Sequence, residues 1–158
     1  MKDDLKILLS SLEKTENIAS IFSEHLKKGL FISLYGDLGT GKTTFAKFLI
    51  NSISKKKINV TSPTFPLVNI YQIEKLKIWH YDLYRLENKL EIFSLDFEQA
   101  LHDMVIMEWP EIATEYLPKN RIEIKFEEDC KFNLNMNIRF IGNITFKDKL
   151  YERIKKIS

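Results

Sequence analysis

A chain of 158 residues, 44% hydrophobic and 29% charged, is near the usual size of one folding unit and too apolar to stay disordered, so a single domain over 1–158 is expected. Its 24 basic and 22 acidic residues leave a formal net charge of +2, which excludes a strong global field for nucleic acid, a membrane surface or a polyanionic substrate. The one cysteine, Cys130, excludes an internal disulfide or a cysteine metal cluster. Met1-Lys2-Asp3-Asp4 lacks a basic region followed by an apolar core, and nowhere do 18 apolar residues run together, so a cytoplasmic protein without export signal or membrane span is expected.

No fixed-period repeat or Pro- or Ser-rich linker interrupts the chain, and the only low-complexity tract is Lys55-Lys56-Lys57. Ser10-Ser11-Leu12-Glu13 reads as a capping box; Leu12, Ile18, Ala19, Phe22 and Leu26 then recur at helical spacing up to a stop at Gly29. Leu30 to Tyr35 is a short apolar strand, glycines follow, and Phe45, Phe48, Leu49 and Ile53 share one face of a helix starting near Lys42. Further strands are predicted at Pro66 to Ile73, Leu76 to Tyr81, Met104 to Glu108 and Arg121 to Phe126. The strict alternation from Phe132 to Ile138 adds an antiparallel one. A charged helix from Asp148 to Ile157, with Leu150, Ile154 and Ile157 as its stripe, closes the chain.

The motif GxxxxGK[ST] is met by Gly36, Gly41, Lys42 and Thr43, between a predicted strand and a predicted helix, and three of the five glycines fall between positions 36 and 41. Small residues let successive backbone N–H groups wrap phosphates at a helix N-terminus, where the dipole favours negative charge. ATP is therefore expected against Asp37, Leu38, Gly39, Thr40, Gly41, Lys42, Thr43 and Thr44. Lys42 is expected to reach the β- and γ-phosphates, and the Thr43 hydroxyl to sit on Mg²⁺. A metal site of this kind needs an acid, and Met104-Val105-Ile106-Met107-Glu108 is an apolar strand ending in one, the Walker B pattern with Glu for Asp. Asp82, after Ile78-Trp79-His80-Tyr81, also falls at a strand's C-terminal edge and competes with Glu108 for the metal.

Four blocks carry a resemblance to a family: Gly36 to Phe45, Ser62-Pro63-Thr64-Phe65, His80-Tyr81-Asp82-Leu83-Tyr84-Arg85-Leu86, and Met107-Glu108-Trp109-Pro110-Glu111. In this order they resemble the TsaE (YjeE) ATPases, which bacteria use in making threonylcarbamoyladenosine at position 37 of tRNA. The resemblance runs from about residue 30 to 118; Thr40 replaces the family's usual alanine, and the tail after Pro118 matches only as a pattern of strands. It implies an α/β P-loop NTPase fold with a mixed central sheet flanked by helices. It also implies a switch-like Ser62 to Phe65 loop with Thr64 near the metal, Asp82 and Glu108 as metal acids, and Trp109 near the nucleotide. Lys42, Asp82 and Glu108 are then the catalytic set. The implied function is a Mg²⁺-dependent ATPase acting with TsaB and TsaD, touching tRNA only indirectly. Read from the residues alone, Ser62 to Phe65 is a turn with Pro63 fixing φ, and Trp109 a strand-end core aromatic.

Two other functions remain open. A small-molecule P-loop kinase needs a cluster of basic lid residues, whereas Arg85, Arg121, Arg139 and Arg153 are scattered. A GTP switch needs Asn-Lys-x-Asp, of which Asn88-Lys89-Leu90-Glu91 is an imperfect echo. Arg85 could compensate phosphate charge or form a surface ion pair. His80, His102 and Asp103 lack metal-ligand spacing, and the lysine run is read as a solvated helix end.

Overall fold

The computed structural model describes residues 4–158; the reading of Met1 to Asp3 as free of an export signal lies outside them. In chain order the elements are β1 (Asp4–Leu8), α1 (Leu12–Ser23), β2 (Phe31–Tyr35), α2 (Lys42–Ser52), β3 (Val68–Ile73), β4 (Leu76–Asp82), α3 (Phe97–Ala100), β5 (Met104–Glu108), β6 (Arg121–Glu128), β7 (Leu134–Ile141) and α4 (Lys147–Lys155). Two 3₁₀ segments, Lys89–Leu95 and Pro110–Tyr116, lie between them.

All seven strands join one mixed sheet in the order β1-β7-β6-β2-β5-β4-β3. β2 runs parallel to β5 and β6, and β4 parallel to β5, while β3, β7 and β1 are added antiparallel at the two sides. This is the expected α/β P-loop NTPase fold. The parallel centre explains why Phe31-Ile32-Ser33-Leu34 and Met104 to Glu108 are buried without alternation: helices cover both faces.

One face packs on α1, α2 and α4 through Ile32, Leu34, Phe45, Leu49, Ile106 and Ile124. The opposite face, with Phe31, Trp79, Tyr81, Val105 and Met107, lies under α3 and the 3₁₀ segments. Phe45, fully buried, meets Phe22 edge-on at 5.7 Å and Phe126 at 5.8 Å, which fixes the roll of α2 beneath its glycine loop. Truncating it to alanine would cost roughly 3–5 kcal/mol.

Several expectations are corrected. The first helix is capped by Ser11, whose hydroxyl accepts from Lys14 N at 3.1 Å; the residue at the third helical position is Lys14, so no reciprocal capping box forms. Leu12 is 68% exposed and leaves the core stripe. The helix ends at Ser23, and Gly29 lies instead in the turn that leads into β2, with φ +84° and its N–H on Asp103 O. Phe132 stands outside the strand at φ +63°, in a hairpin held by Asp129, whose carboxylate accepts from the backbone of Lys131 and Asn133. Ile157 lies beyond α4 and is half exposed. β1 and α3 had no sequence reading at all.

Candidate functional site

The C-terminal ends of the parallel strands β2, β4 and β5 converge at one edge, where open α/β sheets hold ligands. Asp82 and Glu108 are register partners across β4 and β5, and Leu34 pairs with Glu108 across β2 and β5. The glycine loop leaves β2 just there. Gly36, Gly39 and Gly41 take φ of +140°, +77° and +104°. A Cβ at Gly36 would lie 2.5 Å from Phe126 O and 2.7 Å from Thr40 Oγ1, so the loop requires glycine on steric grounds as well as conformational ones.

Thr40 is buried, and the hydroxyl it has where alanine has none donates to Asp37 O at 2.7 Å, within the loop itself. Leu38, Gly39, Gly41, Lys42, Thr43 and Thr44 line a cleft of about 270 Å³ together with Ser62, Thr64, Asp82, Glu108 and Trp109. The first N–H groups of α2, which have no intrahelical acceptor, sit at this cleft. Asp37 is exposed, outside the lining of this cleft, and uses its carbonyl, accepting from both Thr40 and Lys42.

Lys42 folds its ammonium onto its own loop, donating to Gly36 O at 2.6 Å and Asp37 O at 2.8 Å, 4.3 Å from the centre of the Trp109 ring. Burial lowers its pKa, against the opposing pull of Glu108, Asp82, Glu111 and Asp37. Trp109 holds φ +55° directly after β5, a conformation a bulky residue adopts only under constraint, and its ring packs on Tyr84 at 4.9 Å.

The acids are tightly held. Thr43 Oγ1 donates to Glu108 Oε1 at 2.6 Å, and Glu108 Oε2 lies 2.9 Å from His80 Nε2. Asp82 accepts from Thr64 Oγ1 at 2.8 Å and from Tyr84 N at 3.0 Å. Ser62 and Thr64 share a 2.8 Å hydroxyl contact. Arg85 donates to Phe65 O at 3.4 Å and covers the Phe65 ring at 4.8 Å, anchoring the Ser62 to Phe65 loop.

The structure therefore brings ten of the predicted site residues to one cleft, with Thr64 tied to Asp82 and Glu108 tied to Thr43, while exposed Asp37 and buried Thr40 stand outside its lining. The donor set is all oxygen, two carboxylates and two hydroxyls, which suits a hard cation such as Mg²⁺. Among the described residues no group of three or more His, Cys, Asp or Glu side chains could hold a metal; magnesium needs fewer, because it keeps waters and takes phosphate oxygens.

Sequence reading missed two parts. His80, fully buried, is the partner of Glu108; the signal for it is that His80 and Asp82 are two apart in a strand and so share a face. A cavity of about 200 Å³ adjoins the loop, lined by Leu9, Leu12, Thr15, Gly39, Thr40, Gly41, Thr44, Phe126 and Leu134. Its apolar walls come from the chain's N-terminal part and the β7 end, which no local pattern links. A larger groove of about 760 Å³, lined by Lys47, Asn51 and Lys57 among others, contains none of the loop's cleft residues, and Lys55 of the lysine run pairs with Glu74 at 3.1 Å.

A glycine loop with lysine and threonine after the first strand of a parallel centre, facing two acids on the neighbouring strand ends, defines a P-loop NTPase-fold protein. YdiB of Bacillus subtilis, known from its crystal structure, has the same fold: TM-score 0.75 at 26% identity, covering 97% of this chain and 95% of that one. The family described as threonylcarbamoyl adenosine biosynthesis protein TsaE matches residues 9–136, and the chain belongs to it. Proteins named tRNA threonylcarbamoyladenosine biosynthesis protein TsaE are 40% identical over 120 residues in Rickettsia prowazekii (75% of this chain, 83% of that one) and 32% identical over 131 residues in Bacillus subtilis (83% and 82%). A role in tRNA threonylcarbamoyladenosine biosynthesis follows from this membership.

Proposed function

We propose that this protein binds ATP with Mg²⁺ in the cleft under the glycine loop, hydrolyses it slowly, and uses the cycle to reset the TsaB–TsaD complex that transfers threonylcarbamoyl to adenosine 37 of tRNA. The observation that supports it best is that two hydrogen-bonded pairs, Thr43 with Glu108 and Thr64 with Asp82, stand side by side where the two acids are register partners on β5 and β4, so the phosphate loop, both acids and the Ser62 to Phe65 loop line one cleft.

Magnesium, held by Thr43 with Glu108 and Asp82, would neutralise charge developing on the phosphate oxygens. Lys42 releases the Gly36 and Asp37 carbonyls and turns its charge to the β- and γ-phosphates, a desolvated cation whose interaction with phosphate is stronger than in water. The loop and the α2 N-terminus orient the phosphates, and the cavity between Leu12 and Leu134 takes the base against apolar walls. Thr64 senses the occupied site, because its hydroxyl is shared with Asp82, so its loop orders or releases with the γ-phosphate. A partner that binds only the ordered loop is then coupled to the nucleotide, and by linkage raises ATP affinity or turnover in return.

The rival readings find less support. Arg85 is spent on Phe65, Arg121 on Glu123, Arg139 on Asp4 and Glu123, and Arg153 on Glu24, and none of the four lines the cleft as a kinase clamp would. Asn88 caps the 3₁₀ segment through Leu90 N and Lys89 pairs with Glu115, so the echo of a guanine-reading motif is occupied structurally. Titrating the purified protein with the TsaB–TsaD pair in ATP, in ADP and without nucleotide tests the proposal. Affinity should differ between the three states; equal affinity would sink the coupling.

A further inference from the structure

We propose that His80 is a positioning residue for Glu108, holding one carboxylate oxygen inward so that the other faces Thr43 and the cleft. This rests on the metal role proposed for Glu108 above.

Glu108 has a soft terminal torsion, broad about its two-fold axis, so a strand end alone does not fix the plane of its carboxylate. Here two elements fix it. From α2, Thr43 donates to Oε1 at 2.6 Å; from β4, His80 Nε2 lies 2.9 Å from Oε2. The His80 and Glu108 side chains are 0% and 1% exposed, so water offers the inward oxygen no substitute for His80. His80 reaches Glu108 because it lies one register step back, opposite Ile106, on the same sheet face as Asp82.

The partners also fix the tautomer. His80 Nδ1 is buried and has no hydrogen-bond partner. If Nδ1 carried the hydrogen, a buried N–H donor would be orphaned and Nε2 would face the Glu108 oxygen lone pair to lone pair. With the hydrogen on Nε2, the bond to Oε2 is made and only an acceptor is left unpaired, the less costly of the two. Nε2 of His80 is thus a donor to Glu108. Hydrogen-bonding partners of this kind, one step behind a metal-binding group, change metal affinity by about 10–100-fold when removed.

The test compares His80→Leu with His80→Gln, whose amide N–H reaches the same oxygen. ATP affinity in EDTA and the Mg²⁺ midpoint for ATP binding are read by calorimetry, and long-range ¹H–¹⁵N spectra of the wild type read the His80 tautomer. We expect His80→Leu to keep its metal-free ATP affinity within about twofold and to raise the Mg²⁺ midpoint by at least about tenfold, with His80→Gln recovering most of the loss. The wild-type spectrum should show hydrogen on Nε2 and a bare Nδ1. A wild-type Mg²⁺ midpoint in His80→Leu, no recovery in His80→Gln, or an Nδ1–H tautomer would each overturn the proposal. If neither variant folds, the wild-type spectrum decides it. A wild type whose ATP binding ignores Mg²⁺ would overturn the nucleotide reading instead, and the tautomer would still decide whether His80 donates to Glu108.

Discussion

Thr43→Val replaces a hydroxyl with a methyl of nearly the same size, so its effects isolate one hydrogen and one oxygen. The hydroxyl donates to Glu108 Oε1 at 2.6 Å, and Glu108 is 1% exposed, so little of the oxygen left behind is open to the water of the cleft. A hydrogen bond to a charged acceptor contributes about 1.5–3 kcal/mol, and leaving the acceptor unsatisfied places the loss within that range. Taking about 2 kcal/mol, the thermal midpoint of a chain this size should fall by roughly 4–8 °C. The same oxygen is a proposed metal ligand, and an equal loss there weakens Mg²⁺ about 30-fold, since every 1.4 kcal/mol is tenfold. Calorimetric unfolding of the free protein and Mg²⁺ titration at saturating ATP read the two effects separately. Thr43→Ser, which keeps the hydroxyl, should recover both. An unchanged melting midpoint with an unchanged Mg²⁺ midpoint would refute the assignment of Thr43 to this pair.

Lys42→Ala should leave the fold intact, because Gly36 is half-buried and Asp37 exposed, so water can take the two carbonyls it frees, yet lose several kcal/mol of ATP binding or turnover; equilibrium binding and steady-state hydrolysis together measure this. Leu134→Asp, placing a carboxylate in the cavity beside the loop, should weaken adenine nucleotides and leave inorganic phosphate or pyrophosphate competition unchanged, read by displacement of a fluorescent nucleotide. His25 stacks on Phe146 at 4.7 Å with its Nε2 buried and unpartnered, and burial, then Lys149, lowers its pKa below the ordinary 6.5. A depressed folded pKa means that the unfolded chain binds the proton more readily, so the histidine's contribution to stability is complete above pH 6.5 and falls away as pH drops through the folded value. Denaturant unfolding of wild type and His25→Phe at a series of pH values should show the wild type losing ground below that point.

How much of this was legible in the sequence depends on how local each cause is. The glycine loop was readable because its demands are set within eight residues: positive φ at Gly36, Gly39 and Gly41, then Lys42 and Thr43 on the first turn. Glu108 and Asp82 were readable as strand ends, since apolar runs announce buried strands. Their direct register pairing was not, because which strands are neighbours is settled by packing across the sheet. Thr64 came from family resemblance alone; nothing in a Ser-Pro-Thr turn says that its hydroxyl meets an acid 18 residues on. His80 was weighed only as a metal ligand, for its true partner lies 28 residues away. β1 escaped because five alternating residues at the start of the chain gain their place only from β7 at its far end. Leu12 was misread for a related reason: helical spacing put it in the core, while the fold turns it to the lip of the cavity that Leu134 closes.

Counting rounds of tRNA modification tests most directly the proposal that Mg²⁺-dependent ATP turnover at Glu108 resets the threonylcarbamoyl transferase. With TsaB, TsaD, the activated threonylcarbamoyl donor and excess tRNA, wild-type protein and ATP should support many rounds per complex, while Glu108→Ala should stall near one. Full multiple-turnover modification with Glu108→Ala, or with this protein omitted, would contradict the account.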